Sequence, residues 1–249
     1  MAESQQDLIS TLKRYVGRIL GRKTTAVHLR PNNSLIETLE SCFRGQDSLT
    51  FVKVGANDGV TNDPCGELLL RDRRWKGILI EPVPSCLESL KAVFSDVTRF
   101  SIVNAAIGRS DSTASFYYID SSAETAINDL PYWYNQIGSF RKEHIYSHFG
   151  DFITPFVREI QVEVKPLSAV LEKLAVKSVE FLHVDTEGHD LVVMQSLDFS
   201  KYRPQVVFVE HKHLSDEDRK VLVELLRSEG YSIEDFGNDF MATRNARET

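Results

Sequence analysis

Residues 49–59 read LTFVKVGANDG. Leu49, Phe51 and the β-branched Thr50, Val52 and Val54 make a short apolar run with one charge, Lys53, and the run stops at a glycine. That composition describes a strand buried on both faces of a sheet. Gly55 and Gly59 permit a tight turn and a close approach of backbone to a ligand. The same pattern recurs outward from this stretch. GILIE at 77–81 stops at Pro82, RFSIV at 99–103 runs into Asn104-Ala105-Ala106, and VEFLHVD at 179–185 and QVVFVE at 205–210 follow. Helical periodicity separates most of these runs. Residues 34–44 place Leu35, Ile36, Leu39 and Phe43 inward, and 84–95 place Leu87, Leu90 and Phe94 on one face. Residues 215–229 open with Ser215 as N-cap, carry Asp216, Glu217 and Asp218 at the positive end of the helix dipole, and stop at Gly230. Strands alternating with helices predict a doubly wound α/β sheet.

The chain has 249 residues, 42% of them hydrophobic and 26% charged, with a formal net charge of −7. Those values fit a globular domain and exclude a disordered chain or a membrane bundle. No run approaches the roughly 18 apolar residues that a membrane helix needs. Net negative charge gives no general attraction to nucleic acid, so none is expected as a partner. Cys42, Cys65 and Cys86 are odd in number and lack metal-ligand spacing, so they read as thiols in a reducing compartment. Glu3 and Asp7 precede any apolar run, so no secretory signal is expected and the expected address is cytoplasmic. Residues 1–45 read as a helical extension. An amphipathic helix over 5–21, basic through Lys13, Arg14, Arg18, Arg22 and Lys23, is expected to dock on the domain or to form a homodimer contact, with membrane-surface binding as the alternative.

The α/β alternation breaks between about 112 and 166. TASFYYI at 113–119 looks like an extra strand, and the stretch 120–150 that follows mixes polar and aromatic residues. An insertion of that length is expected to be a lid over the site, with helices over 131–137 and 139–149. Tyr132, Trp133 and Tyr134 are its candidate substrate contacts. His144 and His148, four apart, would share a helix face; a metal site is one reading of that spacing, but with no third ligand evident nearby the expected reading is solvent-facing or acceptor-contacting histidines.

The candidate chemistry sits at strand ends, where ligands of open α/β sheets bind. Glu81 ends the second strand roughly 20 residues past the glycine turn, the place of a carboxylate that accepts ribose hydroxyls. Asn104, at the third strand's exit among small residues, is placed to meet an adenine amino group. Asp185 and Glu187 stand in DTEGHD at 185–190, with Gly188 read as opening a helix. Glu210 and His211 stand in EHKH at 210–213. Two mechanisms of proton removal fit: His211 acts as base with Asp185 orienting it or the acceptor, or Asp185, Glu210 and His211 hold magnesium or manganese; in the remaining alternative these residues only hydrogen-bond the acceptor and cap the helix at Gly188.

VGANDG at 54–59, IEP at 80–82, NAAIG at 104–108, DTEGHD and VEHKH together resemble the FkbM-type methyltransferases, and the resemblance covers about residues 49 to 243. It also takes in LPYWYNQIGSF at 130–140 with His148, which is similar to the lid of one subgroup. The resemblance implies a Rossmann-like seven-stranded methyltransferase sheet of order 3-2-1-4-5-7-6, its last strand antiparallel near 238–243, with residues 46–249 as the methyltransferase domain under an N-terminal helical cap. It implies that Gly55, Asn57, Asp58 and Gly59 wrap the methionine part of S-adenosyl-L-methionine, that Glu81 binds the ribose, and that Asp185 and Glu187 lie beside the transferred methyl. The implied reaction is O-methylation of a hydroxyl on a small molecule, a natural product or sugar. Two rivals share the fold: an NAD-dependent oxidoreductase, weakened by the missing third glycine of G-x-G-x-x-G, and a non-catalytic binding protein.

Overall fold

The structure, a computed structural model, describes residues 33–244. The helix expected over 5–21, and the dimer contact expected through it, lie outside the described residues. The described residues from Ser34 onward form one compact unit. In chain order its elements are α1 (Asn33–Cys42), β1 (Leu49–Val54), α2 (Gly66–Arg71), β2 (Trp75–Ile80), α3 (Pro84–Val93), β3 (Phe100–Val103), β4 (Ala106–Ile107), β5 (Ser112–Ile119), α4 (Ala123–Ala126), α5 (Lys142–Phe149), β6 (Val157–Lys165), α6 (Leu167–Lys173), β7 (Phe181–Val184), α7 (Asp190–Gln195), β8 (Val206–Glu210), α8 (Asp216–Ser228), β9 (Tyr231–Asp235) and β10 (Asp239–Arg244). Short 3₁₀ turns at Tyr134–Gln136 and Asp151–Phe156 flank α5.

Seven strands form the central sheet in the order β3-β2-β1-β7-β8-β10-β9. Counted within this sheet alone, that is the expected 3-2-1-4-5-7-6. β10 is antiparallel to both β8 and β9, and the other pairings are parallel. β1, β7 and β8 are buried along almost their whole length, as strands covered on both faces must be. One face packs against α6, α7 and α8 through Leu167, Val170, Leu191, Met194, Leu222 and Leu226. At the other end of β1, Phe43 of the α1 exit meets Trp75 edge-on at 5.2 Å, and Trp75 in turn meets Phe51 and Phe181. Each such ring, moved fully out of water, contributes about 1.5–3 kcal/mol. α8 starts where Ser215 accepts the Asp218 N–H, as its cap position predicts.

The break in the alternation is a second sheet of three strands, β4-β6-β5. β5 and β6 pair antiparallel over eight residues. β6 is absent from the sequence reading because VREIQVEVK interleaves charges with its apolar residues and so lacks the continuous apolar run of the central strands. One face of this sheet, through Phe116, Val162 and Val164, packs on Val83 and Cys86 at the head of α3. The lid rests on it with a small core of its own, Ile119, Ala123, Tyr134, Ile137, Ile145, Phe149 and Ile153. Two expected lid helices shorten. The one over 131–137 is a single 3₁₀ turn, bounded by Pro131 and Gly138, and the second begins at Lys142 rather than 139. The helix expected to open at Gly188 begins at Asp190. Glu187 and Gly188 both have left-handed φ, 54° and 94°, which a helix start does not accommodate.

Candidate active site

The carboxyl ends of β1, β2 and β7 open into a cleft enclosing about 890 Å³, its solvent-facing mouth included. Its floor is Lys53, Val54 and Ile80, its walls are Gly55-Ala56-Asn57, Glu81-Pro82-Val83 and Asp185-Thr186-Glu187, and the lid contributes Asn135, Gln136, Gly138 and Phe140. Gln136 ties the lid to the first loop, donating to the Thr61 carbonyl at 2.8 Å and accepting from the Asn62 side chain at 2.8 Å.

The first βα turn is shaped by protein contacts as much as by any ligand. Gly55 has φ +76°, and a Cβ there would lie 1.7 Å from the Asp185 carbonyl oxygen, so only glycine lets the loops after β1 and β7 close on each other. Gly59 is free of a side chain for a different reason: a Cβ would meet the Phe94 ring at 2.3 Å. Asp58 turns into its own loop, where its carboxylate accepts the Val60 and Thr61 N–H groups at 2.9 and 2.8 Å. Of the four residues expected to wrap the cofactor, Gly55 and Asn57 therefore line the cleft, while Asp58 and Gly59 do not. A D-G pair marks an Asx-type turn, and that signal was readable as loop structure.

Glu81 is 6% exposed and lies on the cleft wall. Each carboxylate oxygen accepts one backbone N–H, from Asn57 and from Val83, both at 2.9 Å. Each oxygen keeps a lone pair for a further donor. Burial pushes its pKa up to about 7, against the two backbone hydrogen bonds, which lower it. On the floor Lys53 pairs with Asp63, both buried. Burial alone would depress the Lys53 ammonium, but the Asp63 charge and hydrogen bond hold it above its ordinary value.

At the opposite end carboxylates crowd together. Burial first, then repulsion from Asp190 and Glu187, pushes Asp185 up into a range where it holds a proton far more readily than a free aspartate. Burial first, then repulsion from Asp185, Glu187 and Asp190, pushes Glu210 up as well. Asp190 is fully buried and reaches back to accept the Thr186 and Gly188 N–H groups at 2.9 and 3.1 Å, which fixes the loop that carries Asp185 and Glu187.

Three expectations fail on geometry. Asn104 is exposed and absent from the cleft wall, which Ala105, Ala106 and Ile107 supply instead. Tyr132, Trp133 and Tyr134 also stay out of it. The Tyr132 hydroxyl donates to Asn62, Trp133 stacks near Phe149 at 5.3 Å, and Tyr134 belongs to the lid's apolar core. Tyr134, Trp133 and Phe149 pack the lid itself, and the lid aromatic that lines the cleft is Phe140. His211, finally, turns away from Asp185: its ring lies 3.9 Å from the Phe240 ring, and Nε2 stands 3.6 Å from Asp235. His211 lies just past the end of β8, where its ring packs on Phe240 while Glu210 faces His213, and Asp185, Glu210 and His211 are not among the donor groups that gather in the described residues.

The sequence reading missed His213. Its Nε2 lies 3.3 Å from Glu187 Oε2 and 3.8 Å from Glu210 Oε1. His144 Nε2 reaches the same Glu187 oxygen at 3.0 Å. Burial holds the His213 imidazole down near 4, and burial together with His144 lowers His148.

Residues 53–233 match the model of the methyltransferase FkbM domain. The chain belongs to the FkbM methyltransferase family. No curated protein matches the chain. Solved structures similar to it include three methyltransferase-class proteins. One is a precorrin-6y C5,15-methyltransferase from Geobacter metallireducens, at 12% identity over 89% of this chain and 94% of that one, TM-score 0.39. Another is the human methyltransferase 10 domain containing protein, at 12% identity over 98% and 99%, TM-score 0.45. The third is a putative caffeoyl-CoA O-methyltransferase from Staphylococcus aureus, at 8% identity over 98% and 93%, TM-score 0.45. No described helix of this FkbM-family chain is long and apolar enough to cross a membrane.

Proposed function

We propose that this FkbM-family protein transfers the methyl group of S-adenosyl-L-methionine to a hydroxyl of a small molecule. The observation that carries the reading is Glu81. It is a buried carboxylate with one lone pair open on each oxygen, held at the cleft wall by two backbone N–H groups. A vicinal diol such as a ribose supplies two donors and fits that arrangement. The far end of the cleft, where Asp185 and Glu187 stand among other acids, fits a cationic group. The residues present thus suit the cofactor at both ends.

When bound, S-adenosylmethionine supplies an electrophilic methyl on a sulfonium centre, open to in-line attack. The chain's part is positioning and proton handling. Gly55, Ala56 and Asn57 form one wall at backbone distance. The lid residues Asn135, Gln136 and Phe140 close over the cleft and exclude water. Asp185 Oδ accepts the hydroxyl proton, its proton affinity raised by burial and by neighbouring carboxylates. His211 takes no part.

A mass-shift screen tests this. Full-length protein and S-adenosylmethionine are incubated with panels of hydroxyl, amine, thiol and carbon-acid acceptors. The proposal expects a one-methyl gain confined to hydroxyl compounds. Methylation of amines or carbon alone would overturn the oxygen assignment, and gain by no compound under conditions of measured cofactor binding would overturn the activity.

A further inference from the structure

We infer that His144, His148, His213 and Glu187 form a binding site for a zinc-class divalent cation, which staples the lid to the edge of the central sheet. The four residues come from three separate segments. His144 and His148 sit one turn apart on α5, Glu187 sits on the loop after β7, and His213 on the loop after β8. One donor atom from each falls within 4.8 Å of every other. The imidazoles converge, with ring centroids 4.8 Å apart for His144 and His148, 5.0 Å for His144 and His213, and 5.4 Å for His148 and His213. Glu187 Oε2 stands 3.0 and 3.3 Å from two of their Nε2 atoms.

A tetrahedral zinc with ligands at about 2.0–2.1 Å spaces its donor atoms roughly 3.4 Å apart. Donor atoms up to 4.8 Å apart reach that spacing if side-chain rotation closes the widest pair by about 1.4 Å. Three imidazoles and one carboxylate select zinc, or cobalt in its place, over magnesium and calcium, which prefer all-oxygen shells. Glu187 is held at a left-handed φ of 54°, a conformation that costs a non-glycine residue energy and marks sites where position matters more than comfort. The neighbouring loop is fixed against His213, since a Cβ at Gly188 would lie 3.1 Å from the His213 carbonyl.

Four protein donors fill a tetrahedron and leave no open position, the pattern of structural rather than hydrolytic zinc. Two donors belong to the lid and two to the sheet's carboxyl edge. The ion therefore ties the lid to the loops after β7 and β8, while Gln136 ties it to the loop after β1. This inference does not depend on the methyl acceptor, nor on methyl transfer itself.

The test uses untagged full-length protein, freed of metal by chelation, and cobalt(II) as the probe. Wild type should develop the intense visible absorption of tetrahedral cobalt, saturating at one ion per chain. Zinc added afterwards should displace it. His148→Ala and His213→Ala, shown folded by circular dichroism, should each lose at least about 100-fold in cobalt affinity, since even outer-shell partners cost 10–100-fold. Zinc should also slow proteolysis within 120–150 in wild type and not in His148→Ala. No tetrahedral band in wild type overturns the site, as does a band kept at full affinity by both variants. A near-ultraviolet thiolate-to-cobalt band also overturns it, because it would assign the ion to Cys65 with Asp63 and His183, the other donor group among the described residues.

Discussion

Replacing Glu81 by glutamine should move cofactor affinity and stability in opposite directions. The carboxylate keeps one lone pair per oxygen for a ribose hydroxyl, and a hydrogen bond to a charged acceptor is worth about 1.5–3 kcal/mol. Glutamine keeps the shape but offers one acceptor oxygen for two backbone donors and two hydroxyls. Loss of one charge-assisted bond alone predicts at least a tenfold weaker S-adenosylmethionine affinity. Stability follows another route. A folded-state pKa near 7, against an ordinary 4.5, makes the buried charge about 3 kcal/mol less favourable than in water. Because this pKa is raised, the proton is bound more tightly in the folded state. The group's contribution to stability is full below about 4.5 and is lost as pH rises through about 7. At pH 8 glutamine removes that penalty, and it adds about 1–3 kcal/mol for one backbone N–H left facing an amide. The net is near zero or stabilising by up to about 2 kcal/mol, a melting temperature unchanged or raised by a few degrees. Calorimetric titration and thermal melts at pH 8 read both quantities. A Kd within twofold of wild type would refute the ribose assignment, and a melting temperature lowered by 10 °C or so would refute the view that Glu81 is held at a cost to the fold.

Other outcomes follow from the same geometry. S-adenosylmethionine affinity of wild type should fall as pH drops below about 7, where Glu81 takes up a proton, and Glu81→Gln should flatten that profile; titrations between pH 5.5 and 8.5 check it. Asp185→Asn should lower kcat about 10²-fold or more at saturating S-adenosylmethionine, beyond any loss of cofactor affinity, read by single-turnover methyl transfer. His211→Ala should leave kcat within a few-fold, because its ring faces Phe240; a loss of 10² or more would return it to the reacting centre. The lid is expected to be the first segment cut in limited proteolysis, with cleavage between 120 and 150 slowed by S-adenosylmethionine and hastened in Gln136→Ala, which loses its ties to Thr61 and Asn62; early cuts elsewhere with the lid protected would count against it.

The central strands were readable because their chemistry is local. LTFVKV, FLHV and VVFVE are buried on both faces, so their apolar runs are nearly unbroken. The sheet order came from resemblance, since no local signal says which strands pair. β6 escaped because a strand with four charged residues, Arg158, Glu159, Glu163 and Lys165, among its nine resembles a polar loop until its partner β5 is known. Glu81 was visible through its spacing from the glycine turn, but its two backbone partners were not, because Asn57 N–H points at it only once β1 and β2 lie side by side. His211 follows Glu210 directly, yet its ring packs on Phe240 while Glu210 faces His213, a divergence set by the turn of the chain after β8 that adjacency in sequence does not reveal. His213 and Glu187 meet through loops after two different strands, and both meet the lid histidines only through the packing of α5.

Calorimetric titration of full-length protein with S-adenosylmethionine, with NAD as the parallel ligand, tests the account most directly. The cleft between Gly55, Glu81 and Asp185 should bind S-adenosylmethionine at one site per chain, with affinity lost in Glu81→Gln, and should give no heat with NAD. Binding of NAD in place of S-adenosylmethionine, or S-adenosylmethionine binding indifferent to Glu81, would contradict it.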